Sequence, residues 1–164
     1  MTPAQGAFLV ALGAAILLTA GLAWLVLDQA RRRGGDPIRR LARLGRPSAA
    51  RLEAHHWAFY AHRVSGAGIF AFLALHVVDV GLIAVSPELY DEVHALYGTP
   101  PLRAFEVVLL GGILFHAFNG LRLLVLDLFD VDARLSERLL WAAVAGTLVA
   151  LVPSAAVILG PVLR

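Results

Sequence analysis

The 164-residue chain has no cysteine, a single methionine and only 16% charged residues. Without cysteine the chain can form no disulfide, hold no iron–sulfur cluster and ligate no metal through a thiolate. It has no lysine either. All 14 basic residues are arginines, which we read as a coding bias rather than a function. No grouping suggests a nucleophilic triad, and no glycine-rich phosphate loop follows a strand. What the chain has in abundance is apolar residues, 59% of the total, with a mean hydropathy of +0.76. That excludes an ordinary soluble domain and reads as an integral membrane protein. The basic balance comes from an arginine cluster in one loop, which suits a cytoplasmic membrane surface and anionic lipid, not nucleic acid.

Four apolar runs, residues 6–27, 57–84, 101–127 and 139–159, are each long enough to cross a bilayer as a helix. The fold class is therefore an all-α integral membrane protein, a transmembrane helical bundle of four spans. The first run is longer than a signal-peptide core and its basic residues follow it, so it reads as a retained span. Nine arginines, from Arg31 to Arg63, crowd the first connection. Gly34-Gly35, Pro37 and Pro47 break it, leaving a short amphipathic piece at residues 38–44. The positive-inside rule makes this loop cytoplasmic and both termini external. The outer connection, residues 85–103, is acidic, with Glu88, Asp91 and Glu92 against Arg103. It has room for a short interfacial helix at 88–97, and His94 there reads as an exposed loop histidine. Pro153 interrupts the fourth span, where neighbouring helices can satisfy the freed carbonyl.

Polar residues inside the spans need a reason. Gly112, His116 and Gly120 are spaced by four and share one helical face. Two readings stay open. The glycines clear space for a flat macrocycle with iron on His116, and Arg122 reaches toward its anionic edge. Alternatively, His116 bonds a neighbouring helix and the glycines serve helix packing. In the second span, His62 and His76 lie 14 residues apart on nearly the same face, about 21 Å along the axis. They mark opposite leaflets, the spacing a two-haem stack needs. Asp79, one turn beyond His76, is placed to accept its ring N–H. The other reading is a partly solvated polar pair. Trp57 and Tyr60 suit the inner interface.

The segment H-A-F-N-G-L-R with Asp127 (residues 116–122 and 127) resembles the second signature of the cytochrome b membrane-anchor subunit of succinate dehydrogenase, respiratory complex II. His62-Arg63-Val64-Ser65-Gly66 resembles that family's first signature. The stretch between them is similar to its actinobacterial and Thermus-like branch. The resemblance runs from about residue 60 to 161. It implies an anchor core at 57–164, an arginine-rich cytoplasmic loop at 31–56, and an additional N-terminal helix at 1–30, since most members have three spans.

The resemblance implies haem b on His116, with the opposite ligand from a second hydrophobic anchor subunit. It places His62 and Arg63 by the haem propionates and the quinone pocket, with Arg63, Ser65 and Trp57 as quinone-site residues and Arg122 as a further cofactor contact. Guanidinium chemistry suits both carboxylates and a quinone carbonyl. His76 marks the two-haem class and would ligate a second haem. Phe59 departs from the serine that several ubiquinone-using members carry. A flavoprotein and an iron–sulfur protein would dock on the cytoplasmic face, and succinate chemistry would lie outside this chain. Fumarate reduction, a dihaem cytochrome b serving another dehydrogenase, and a non-redox structural role stay open as alternatives.

Overall fold

A computed structural model describes residues 1–32 and 50–162, with the side chains at 30 and 50–53 outside the description. The amphipathic piece expected at 38–44, most of the arginine loop and Arg164 lie outside the described residues. The described chain is helical, with no strand: α1 (Pro3–Arg32), α2 (Ala50–Val85), α3 (Pro87–His94), a 3₁₀ turn (Ala95–Gly98), α4 (Pro100–Leu128) and α5 (Ala133–Leu159). Four of these, α1, α2, α4 and α5, are long and apolar enough to cross a membrane.

Each long helix extends past the apolar run that announced it. Hydropathy marks the part that sits in lipid, whereas the backbone hydrogen-bond ladder continues until something caps it. The clearest case is α5. It begins six residues before Leu139, where the Asp132 side chain accepts from the Leu135 N–H at 2.6 Å, a standard N-cap. In the connection between α2 and α4, Ser86 caps α3 through the Leu89 N–H, with Pro87 at the first helical position. The interfacial helix expected at 88–97 is thus α3 followed by the 3₁₀ turn. Pro100 and Pro101 occupy the first positions of α4, where a missing N–H costs nothing. Thr19, Thr147 and Ser154 return their hydroxyls to the carbonyls four residues back, so these groups need no other partner in lipid.

The helix α2 is central, with α1 packed on one side and α4 on the other, while α5 packs chiefly on α4. The segment α3 lies across the ends of α1 and α2. There Gln5 Nε2 donates to the Glu92 carbonyl at 3.0 Å, and Phe8 meets the Tyr97 ring at 5.7 Å. The start of α1 and the 86–99 connection therefore share one end of the bundle. Large apolar side chains such as Phe70, Val77, Val108, Leu121, Val149 and Val157 point outward, the inverse of a soluble fold and the surface a bilayer or a membrane partner requires.

Candidate functional site

The two signature histidines meet. His62 on α2 and His116 on α4 stack face to face, ring centroids 3.9 Å apart and 6° from parallel. His116 Nδ1 lies 3.0 Å from the His62 carbonyl oxygen. A carbonyl only accepts, so Nδ1 carries the proton and Nε2 the lone pair. Ser65 Oγ donates to the same carbonyl at 3.0 Å and lies 3.3 Å from His116 Nδ1. The ring therefore has a set tautomer and orientation, both fixed by the backbone of the neighbouring helix.

The glycines are accounted for differently than their spacing on α4 suggests. A Cβ on Gly120 would sit 3.5 Å from His62 Cε1, and one on Gly112 would touch the Ser65 Cβ at 3.8 Å. The space they clear is filled by α2. The glycine against which His116 rests is Gly66, across the interface, where a Cβ would fall 2.8 Å from His116 Cε1. Close helix approach, the packing reading, thus explains the glycines. The ligand reading of His116 stands apart from them, on its free Nε2.

Arg122 does not reach toward an edge outside the bundle. It is 8% exposed and its fork is spent on three helices. Nη2 donates to His55 Nδ1 on α2 at 2.8 Å and to Ser136 Oγ on α5 at 3.3 Å. Nη1 donates to Asn119 Oδ1 at 3.3 Å, and Nε reaches the Ser136 carbonyl at 3.4 Å. Three of these residues, His55, Asn119 and Ser136, escaped the sequence reading. Asn119 was legible in principle, since it lies one turn before Arg122 on the same face. The pairing with His55 spans 67 positions and had no local signal.

Toward the C-terminal end of α2, the expected bond between Asp79 and His76 is not formed. Asp79 Oδ2 accepts from the Tyr97 hydroxyl at 3.1 Å, because the 3₁₀ turn folds back over α2. Burial, then the charge and hydrogen bond of Asp79, push the Tyr97 hydroxyl far above its usual range, so it stays a donor. His76 stacks on Phe72, one turn earlier, at 5.5 Å and is exposed. His94, read as an exposed loop histidine, is exposed but ends α3, with its ring stacked on Tyr90 and tilted against Tyr97.

The three quinone candidates do not converge within this chain. Ser65 faces His116 and lines an apolar cavity of about 540 Å³ between α1, α2 and α4. Trp57 lines a separate cavity of about 300 Å³ with Phe115 and Trp141. Arg63 lines neither and lies over the Phe59 ring at 4.1 Å, so the departure at Phe59 has a local use as a cation–π platform.

A haem-ligating role fits these residues on two counts. His116 presents an unprotonated Nε2 with its other nitrogen on a carbonyl, the arrangement that metal-bound imidazoles adopt. Buried polar atoms nearby are left without partners: His62 Nδ1 and Trp57 Nε1. Such orphans are rare and call for an explanation. Among the described residues, no three His, Asp or Glu side chains converge to hold a bare metal ion.

A helical membrane bundle with two signature histidines locked across adjacent spans is the frame of a membrane-anchor subunit. Residues 32–153 match the family model described as the succinate dehydrogenase/fumarate reductase transmembrane subunit, and the chain belongs to that family. It is also 38% identical over 102 residues to the succinate dehydrogenase 2 membrane subunit SdhC of Mycobacterium tuberculosis, a match covering 62% of this chain and 75% of that protein.

Proposed function

We propose that this chain is the cytochrome b anchor of a succinate:quinone oxidoreductase. It binds haem b through His116, contributes to the quinone site, and fixes a flavoprotein and an iron–sulfur protein to the cytoplasmic face of a bacterial plasma membrane. A second hydrophobic anchor subunit would supply a further ligand to that haem. The observation that carries this reading is the Nδ1 contact of His116 with the His62 carbonyl, which leaves Nε2 available. Family membership sets the class of complex.

When bound, haem supplies a one-electron relay site. The chain's own residues do the rest. The His62 carbonyl and Ser65 hold the His116 ring in one tautomer. The His62 stack and Gly66 fix its plane. His62 Nδ1 and the Trp57 indole N–H, both buried and unpaired, are the polar atoms available to a propionate or a quinone oxygen. Arg63, exposed at the inner half of α2, would act on a quinone carbonyl or on the docked partner from outside the bundle. Fumarate reduction would use the same parts.

A reduced-minus-oxidised spectrum of the purified complex tests the reading. His116→Ala should abolish a b-type haem signal while the complex still assembles. A full-strength signal in the assembled variant would instead favour a non-redox packing role, the reading to which the glycine contacts lend weight.

A second haem on His76 is a separate proposal, supported by that residue's exposure at the far end of α2 and no longer by Asp79. Haem per flavin should then be two, and His76→Ala should remove one. A ratio of one in the unmutated complex makes His76 a structural residue.

A further inference from the structure

At the outer end of the bundle, α1, α2, α3, the 3₁₀ turn and α4 enclose a cavity of about 290 Å³. It is separate from the His116 site, but His76 is among its lining residues, so a lipid held here is an alternative to a second haem on that residue. Its walls are aliphatic and aromatic, with two carboxylates, Asp79 and Glu106, and two histidines, His76 and His94, and no arginine lines it. Among the described residues neither carboxylate is in an ion pair. Asp79 is 4% exposed, and while Oδ2 takes the Tyr97 hydroxyl, Oδ1 has no partner at all. Leaving a buried carboxylate oxygen without a donor is costly, so a missing donor is implied.

The surroundings say what kind of donor. Phe8, Phe72, Tyr90, Tyr97 and Phe105 line the same cavity, and π faces favour a cation. Two carboxylates repel an anion and gain little from a neutral group. A bare metal is disfavoured, since no three His, Asp or Glu side chains converge among the described residues. The volume lies near the lower end of small-ligand cavities, roughly 300–1,000 Å³, and suits a small headgroup. Asp79 lies six positions before the end of α2, about 9 Å along the axis, which is headgroup depth. We propose that this cavity binds the primary ammonium group of an aminophospholipid in the outer leaflet, with Asp79 and Glu106 as its acceptors and the aromatic rings as its cage.

The test uses the whole purified complex. It is delipidated and returned to nanodiscs of phosphatidylethanolamine mixed with phosphatidylglycerol, and bound lipid is counted by native mass spectrometry. The unmutated complex should retain phosphatidylethanolamine over phosphatidylglycerol. Asp79→Asn keeps an acceptor for Tyr97 but loses the charge, and should lower that retention by about tenfold, the scale of one charge-assisted contact. Glu106→Gln should lower it as well, and serves alone if the first variant fails to assemble. No preference in the unmutated complex, or equal retention in an assembled Asp79→Asn complex, would overturn the proposal. Displacement of the lipid by millimolar ethylammonium at equal occupancy would overturn the lipid as the source of the ammonium group.

Discussion

His116 is gripped from three directions by one neighbouring helix: the His62 carbonyl at Nδ1, the His62 ring on its face, and Gly66 against Cε1. A methyl group at position 66 would sit 2.8 Å from Cε1, and the ring cannot retreat without giving up its hydrogen bond or its stack. Gly66→Ala should therefore destabilise the assembled complex by roughly 1–3 kcal/mol, the usual cost of overpacking, and shift or weaken the b-haem bands. Gly81, with nothing within 4 Å of its would-be Cβ, provides the control, and Gly81→Ala should leave both unchanged. Identical spectra and melting for the Gly66 and Gly81 variants would mean the ring has room to move. Both histidines and Gly66, Gly112 and Gly120 were visible in the sequence as motif and spacing. Which glycine serves which histidine was not, because that depends on how α2 and α4 are rotated against each other. Residues on one helix can be ordered by their 100° steps, but nothing in a single helix's period reports the phase of its neighbour.

Between elements, the strongest polar tie is Arg122, which joins α2, α4 and α5 through His55, Asn119 and Ser136. In lipid the apolar faces of helices gain little by association, so interhelical hydrogen bonds carry more of the specificity. Arg122→Leu would leave His55 Nδ1 and Asn119 Oδ1 without donors. A loss of roughly 2–4 kcal/mol is expected from unsatisfied buried groups of this kind, seen as a lower melting temperature of the complex in detergent. Arg122→Lys should recover only part of it, because an ammonium lacks the planar fork that serves two helices at once. Full recovery by lysine would show that charge alone matters there. The four spans themselves were plain in the sequence, since about twenty apolar residues in a row leave few alternatives. Their true ends were not, because caps such as Asp132 and the polar first turns of α2 lie outside the apolar run. The fold-back of the 3₁₀ turn also lay beyond reach. It places Tyr97, not His76, on Asp79, a contact set by the connection and not by the helix.

For the whole molecule, the question is which face of the membrane each end occupies. Four antiparallel spans place the start of α1, the 86–99 connection and the end of α5 on one side. The contact of Gln5 with the Glu92 carbonyl ties the first two of these together. The opposite side holds the end of α1 with Arg31 and Arg32, the start of α2, and the short 129–132 connection to α5. In the sequence nine of the 14 arginines fall between residues 31 and 63, whereas the 86–99 connection carries Glu88, Asp91 and Glu92 and no arginine. Translocating a short loop with that many fixed charges is strongly disfavoured, and arginine, unlike histidine, cannot shed its charge to cross. A reporter fused between residues 31 and 63 should therefore read cytoplasmic, and one fused after Arg164 external. The same orientation puts the His55–Arg122–Ser136 tie at the cytoplasmic end, beneath the surface on which the soluble subunits would dock, and the Asp79 cavity at the external end. Replacing the arginines of that loop with glutamine should weaken the bias and give mixed reporter signals. A uniform external signal from the loop in the unmutated chain would invert the bundle and move both the docking face and the ammonium site to the opposite leaflet.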